Sequence, residues 1–133
     1  MKGDLAVRIA LDTNRYVDFS KGLAEAVDRL RGSEAIFMPL VVLAELRAGF
    51  ACGSRSESNE RNLTLFLNSP RVSVLCPDEA TTHHYARLFS QLKRQGTPIP
   101  VNDIWIAALV IQHDLHLFAR DKHFESLPQL ARV

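Results

Sequence analysis

Cysteine is scarce: only Cys52 and Cys76 occur in the 133 residues. They are too few for a disulfide framework and form no metal-spaced pair, which leaves both as packing or incidental thiols. Long apolar runs are missing too. The most apolar stretch, around residues 104–111, falls far short of the ~20 residues that a membrane span requires. The opening residues carry Lys2, Asp4 and Arg8 where a signal peptide would place an apolar core, so a cytoplasmic location is expected. Charge of one sign is also lacking. Lys and Arg number 16 against 15 Asp and Glu, a formal net charge of +1, so the whole-molecule field neither requires nor excludes a nucleic-acid partner. A Walker-type phosphate loop and a G-x-S-x-G elbow are both absent, which weakens nucleoside triphosphatase and α/β-hydrolase readings. Nothing repeats, and no tract is of low complexity.

What is present reads as one domain over residues 1–133. Hydrophobic residues make up 47% and charged residues 23%, enough to pack an interior and too apolar for disorder. Residues 7–11 (Val-Arg-Ile-Ala-Leu) form a β-branched run typical of a strand buried in a parallel sheet, and the run stops at Asp12. A short helix over 13–19 and a second over 22–31 follow, then a strand over 35–38. Pro39 suits the first turn of a helix running to about Gly49. Residues 51–59, rich in Gly, Ser and charge, read as a loop. A helix over 60–67, an alternating strand over 72–75 and a long helix from Asp78 or Glu79 to about Arg94 come next. After Asn102 and Asp103, a helix whose inner face is Ile104, Ala107, Ala108 and Ile111 reads as central. A strand over 116–119 leads to Asp121, and a short helical turn leads to a final edge strand over 127–133. Adjacent His83 and His84 point in different directions on their helix, and His113 and His116 straddle a helix end, so neither pair suits a metal.

Alternating strands and helices imply an α/β fold with a parallel sheet, whose strand ends share one edge. Asp12 and Asp121 each follow a strand, Asp103 opens the central helix, and Glu45 sits among Val41, Val42, Ala44, Leu46 and Ala48 on the helix after the second strand. Three have a plainer reading: Asp12 as a helix cap, Asp103 as a partner of the helix dipole, Glu45 as a surface residue. Brought together, the four would repel unless a cation neutralised them. All-oxygen ligation favours Mg²⁺ or Mn²⁺, which suits phosphodiester hydrolysis without a Ser or Cys nucleophile. Arg47, Arg55, Arg61, Arg87, Lys93 and Arg94 lie on segments that could flank the acids.

The order Leu11-Asp12-Thr13-Asn14, then residues 43–49 around Glu45, then Asn102-Asp103 with Ile106-Ala107-Ala108, then Ala119-Arg120-Asp121-Lys122-His123-Phe124 resembles the PIN-domain ribonucleases, and most the VapC toxins of type II toxin-antitoxin systems. The resemblance spans nearly the whole chain. It implies a three-layer α/β/α fold with a central, mainly parallel sheet, Mg²⁺- or Mn²⁺-dependent cleavage of RNA, a homodimer, and inhibition by a small antitoxin protein. It also implies catalytic and metal-binding roles for Asp12, Glu45, Asp103 and Asp121, with Thr13, Asn14 and Asn102 in support. Arg47 and Arg120 are candidate contacts to RNA phosphate. One position departs: Ala119 stands where similar proteins usually carry Thr or Ser. That leaves open a catalytically idle PIN domain that binds RNA or protein. A phospho-acceptor receiver module fits less well, because Asp4 is too far from Asp12, the middle strand ends at Cys76-Pro77, and Glu45 lies within a helix.

Overall fold

The computed structural model describes residues 7–133; Lys2 and Asp4, which bear on a signal-peptide core, lie outside them. Four strands, β1 (Arg8–Leu11), β2 (Ala35–Pro39), β3 (Val72–Leu75) and β4 (His116–Phe118), form one parallel sheet in the order β3-β2-β1-β4. Six helices accompany it in a three-layer α/β/α arrangement: α1 (Thr13–Ser20), α2 (Ala24–Arg31), α3 (Leu40–Cys52), α4 (Ser56–Leu67), α5 (Glu79–Gln95) and α6 (Val101–Gln112). The apolar run of β1 explains its inner position. Ile9, Ala10 and Leu11 are fully buried between β2 and β4, while Arg8 at the strand's start is exposed and lies over the Phe37 ring. Because the strands are parallel, Leu11, Pro39 and Phe118 end at one edge of the sheet, the edge where open α/β folds bind ligands. The Asp12 amide continues the ladder past the end of β1 by donating to the Phe118 carbonyl at 3.2 Å.

Helix α6 is apolar nearly all round, with Ile104, Ile106, Ala107, Ala108, Leu109 and Val110 buried, as expected of a helix enclosed by the core. It begins at Val101, with Pro100 at the N-cap, so Asn102 and Asp103 both fall in the first turn. Helix α5 starts with a capping box in which the Asp78 side chain accepts from the Thr81 amide and the Thr81 hydroxyl accepts from the Asp78 amide. It ends at Gly96, whose φ of 70° reverses the chain. Thr81 near the start of α5 donates to Gln112 at the end of α6 at 2.5 Å, so the two helices run antiparallel.

Three expectations change. The loop expected over 51–59 shrinks to residues 53–55, because α3 continues to Cys52 and α4 starts at Ser56; Arg47 and Glu60 clamp the two helices together. Pro39 is the last residue of β2 and the N-cap of α3 rather than part of its first turn. The expected short helical turn is present as a 3-10 helix (Lys122–Ser126), but in place of the edge strand over 127–133 the chain turns and touches the sheet through one isolated bridge between Leu117 and Arg132. Pro128 has no amide to give to a ladder. Among the described residues, no helix is long and apolar enough to cross a membrane.

Ile106 is fully buried on α6, so Ile106→Ala removes packed atoms from the helix that carries Asp103. A loss of about 2–5 kcal/mol is expected in urea unfolding.

Candidate active site

Asp12 occupies the N-cap position of α1, yet its side chain makes no capping hydrogen bond. The capping explanation of this acid therefore fails on geometry. The residue is only 5% exposed. Burial, opposed by the Thr13 amide and reinforced by repulsion from Asp103, Glu45 and Asp121, pushes its carboxyl up from the usual 3.8 to about 6. Residues 33, 91 and 109 positions further along the chain are thus close enough to act on it, which only the shared sheet edge can arrange. Asp103, in the first turn of α6, is also raised, chiefly by burial, with the His123 hydrogen bond pulling the other way and Asp121 and Glu45 adding repulsion.

Glu45 is half-buried on α3, and both of its oxygens are held. Thr13 Oγ1 donates to Oε1 at 2.5 Å, and Asn102 Nδ2 donates to Oε2 at 3.0 Å. A surface Glu would wave in solvent; this one is oriented by the residue after Asp12 and the residue before Asp103. Asn14 is exposed, and among the described residues no hydrogen bond of its side chain joins it to the acids.

The residue that sequence reasoning passed over is His123. Its Nδ1 lies 2.9 Å from Asp103 Oδ2 and 3.0 Å from Asp121 Oδ1. Its backbone amide also donates to Asp121 Oδ1 at 2.9 Å. The 3-10 turn just after Asp121 folds His123 back over the acid, so His123 orients Asp121 where Ala119, buried and without a hydroxyl, cannot. Ligand atoms of Asp103, Asp121 and His123 lie within 4.8 Å of one another; Asp12 and Glu45 stand outside that tightest group. The only local signal was a His two residues past the acid.

Asp18 was also missed. It is buried on α1 and takes two hydrogen bonds from Arg120, at 3.0 and 3.1 Å, plus one from Arg15 at 3.3 Å. The Arg120 hydrogen bonds, aided by Arg15, hold its carboxyl below the usual range. Arg15 lies over the Phe118 ring, 4.5 Å from its centroid. Arg120 also feels the charge of Asp12, so this fork sets a fixed positive charge beside the acids. Arg47, by contrast, is paired with Glu60 at 3.2 and 2.8 Å.

The sign of the Asp12 shift fixes a pH dependence in metal-free protein. The folded state binds this proton more tightly than the unfolded chain, so the group favours the fold below about pH 3.8 relative to higher pH, and that advantage is lost as pH rises to about 6. At neutral pH, Asp12→Asn should therefore stabilise the metal-free chain, by up to about 3 kcal/mol for a shift of about two units. The gain should vanish in acid; equal melting of variant and parent at neutral pH would contradict it.

The PIN domain family matches residues 9–130. Ribonuclease VapC1 of Haemophilus influenzae (strain R2866) is 34% identical over 121 residues, which cover 83% of this chain and 89% of that protein. Ribonuclease VapC4 of Mycobacterium tuberculosis (strain ATCC 25618 / H37Rv) is 32% identical over 103 residues, 77% of this chain and 78% of its own length. Among solved structures, VapBC2 from Rickettsia felis bound to a DNA fragment from their promoter superposes with a TM-score of 0.84 at 26% identity, over 96% of this chain and 98% of the other. VapBC-1 from nontypeable Haemophilus influenzae gives 0.83 at 28%, over 96% and 97%. The chain thus belongs to the PIN domain family, as a relative of the VapC ribonucleases.

Proposed function

We propose that this chain is a divalent-cation-dependent endoribonuclease and the toxin of a toxin–antitoxin pair, working through Asp12, Glu45, Asp103 and Asp121. The observation that carries the reading is the convergence of four acids from distant parts of the chain: Glu45 is held by Thr13 and Asn102, Asp103 and Asp121 are joined through His123, and Asp12 is buried close enough to the other three to feel their charge. Such a cluster stores repulsion that a bound cation relieves. The carboxylate oxygens suit a hard ion, Mg²⁺ or Mn²⁺, while His123 Nδ1 is engaged with Asp103 and Asp121. When bound, the cation would acidify a water and stabilise charge on the attacked phosphate. The chain's own residues do the rest. Asp12, Asp103 and Asp121 supply the anionic donors, Thr13 and Asn102 aim Glu45, His123 aims Asp121, and Arg120, fixed by Asp18, sets positive charge where an RNA phosphate would approach.

The relatives' names supply the substrate: the curated proteins are called ribonucleases, and the solved complexes are VapBC pairs. By extension, a small antitoxin is this chain's regulatory partner, and a homodimer in the cytoplasm its working form. Arg47 would contribute to RNA binding only by exchanging Glu60 for phosphate.

Cleavage of a single-stranded RNA should need Mg²⁺ or Mn²⁺ and stop in EDTA; undiminished cleavage in chelator removes the mechanism. Glu45→Gln should lose cation affinity and turnover together, read by Mn²⁺ titration. Asn102→Ala, which frees one Glu45 oxygen, should raise the cation concentration for half-maximal cleavage by about 10- to 100-fold. If both variants cut at the parent's cation concentration, the site has no place for Glu45.

A further inference from the structure

Helix α5 carries a second polar feature outside the acid cluster. His84, Arg87, Ser90, Gln91 and Arg94 recur on one face, and with Gln129 and the apolar Ala86, Leu88 and Ile111 they line a groove of about 630 Å³. Arg87 and Arg94 are exposed. Among the described residues neither has a carboxylate partner, whereas Arg15, Arg47 and Arg120 all do. The side-chain partner of Arg94 is Ser90 Oγ, at 2.5 Å. Seven helical residues separate the two guanidinium-bearing positions by about 10 Å along the axis.

One end of the groove, at Arg94, lies at the same end of the α5–α6 hairpin as Asp103, while His84 and Ile111 line its far end. α5 and α6 are antiparallel, joined by residues 96–100, so Arg94 lies at the end of the hairpin where α6 presents Asp103. The segment that leaves Asp121 and His123 then runs against α5. Gln95 donates to the Ser126 carbonyl at 3.0 Å, and Gln91 and Gln129 bond each other at 3.2 and 2.6 Å.

We propose that this groove, through Arg87 and Arg94, binds the phosphate backbone of an RNA strand as it leaves the carboxylate site; the inference rests on the ribonuclease reading above. An RNA held at the acids continues as a polyanion on either side, and a chain with a net charge of only +1 has to attract it through a local patch. Guanidinium, hydroxyl and amide groups are the kinds that contact phosphate oxygens without reading sequence.

The test is the salt dependence of binding of a labelled single-stranded RNA, measured on the Asp12→Asn background so that the strand stays intact. Arg87→Ala with Arg94→Ala should lower the slope of log affinity against log salt by about 1.4, two contacts at about 0.7 each. Arg87→Lys with Arg94→Lys should keep the slope, and so should Arg29→Ala with Arg31→Ala on α2. An oligonucleotide too short to reach α5 should bind the alanine variant as it binds the parent. An unchanged slope for the long RNA overturns the inference and marks the groove for a protein partner, while the ribonuclease reading stands if the parent still cuts. Equal loss for short and long RNAs overturns it as well, because that loss belongs to the carboxylate site. If the native chain neither binds nor cuts RNA with Mg²⁺ present, both fall.

Discussion

Mutual repulsion of carboxylates at one edge of a parallel sheet is the constraint to which the rest of the molecule answers. Asp12 is buried, and the acids that face it oppose its ionisation. A fold keeps such a group only if its scaffold is stable enough to absorb the cost. Here the scaffold is β1, enclosed between β2 and β4, and α6, buried along most of its length. Both deliver an acid at the end nearest the shared edge, so two deeply buried elements also carry the carboxyls that burial raises.

Orientation is supplied by polar side chains that lie next to the acids in sequence but serve a different acid in space. Thr13 follows Asp12 and Asn102 precedes Asp103, yet both bond Glu45. His123 follows Asp121 closely and bonds both it and Asp103. This cross-bracing links α1, α3, α6 and the 3-10 turn after β4, so displacing one element misaims its neighbour's carboxylate. It also bears on the departure at Ala119. Ala119 brings no hydroxyl to Asp121, which the His123 amide and imidazole hold.

Positive charge is distributed as sparingly as the near-neutral composition requires. Arg15 and Arg120 are bound by Asp18, and Arg47 by Glu60, which makes them fixed features of the architecture. Arg87, Lys93 and Arg94 on α5 are exposed and without acidic partners among the described residues, and the two arginines face the groove.

The sequence by itself determined the alternation of elements, the burial of β1 and α6, and the placing of Asp12 and Asp121 beyond strand ends. Each follows from local periodicity: a short apolar run that halts at a carboxylate, or a helix with no polar face. It misjudged residues 51–59, where Ser, Gly and charge conceal two helix ends drawn together by the Arg47–Glu60 pair, and residues 127–133, where Pro128 and a turn leave one bridge in place of a strand. Only the tertiary structure decided that Thr13 and Asn102 hold Glu45, that His123 bridges Asp103 and Asp121, and that Asp18 anchors Arg120 from 102 residues away. Those partners are set by the register of parallel strands joined through long crossovers, and a chain's local pattern encodes which face a residue takes but not which distant residue meets it there.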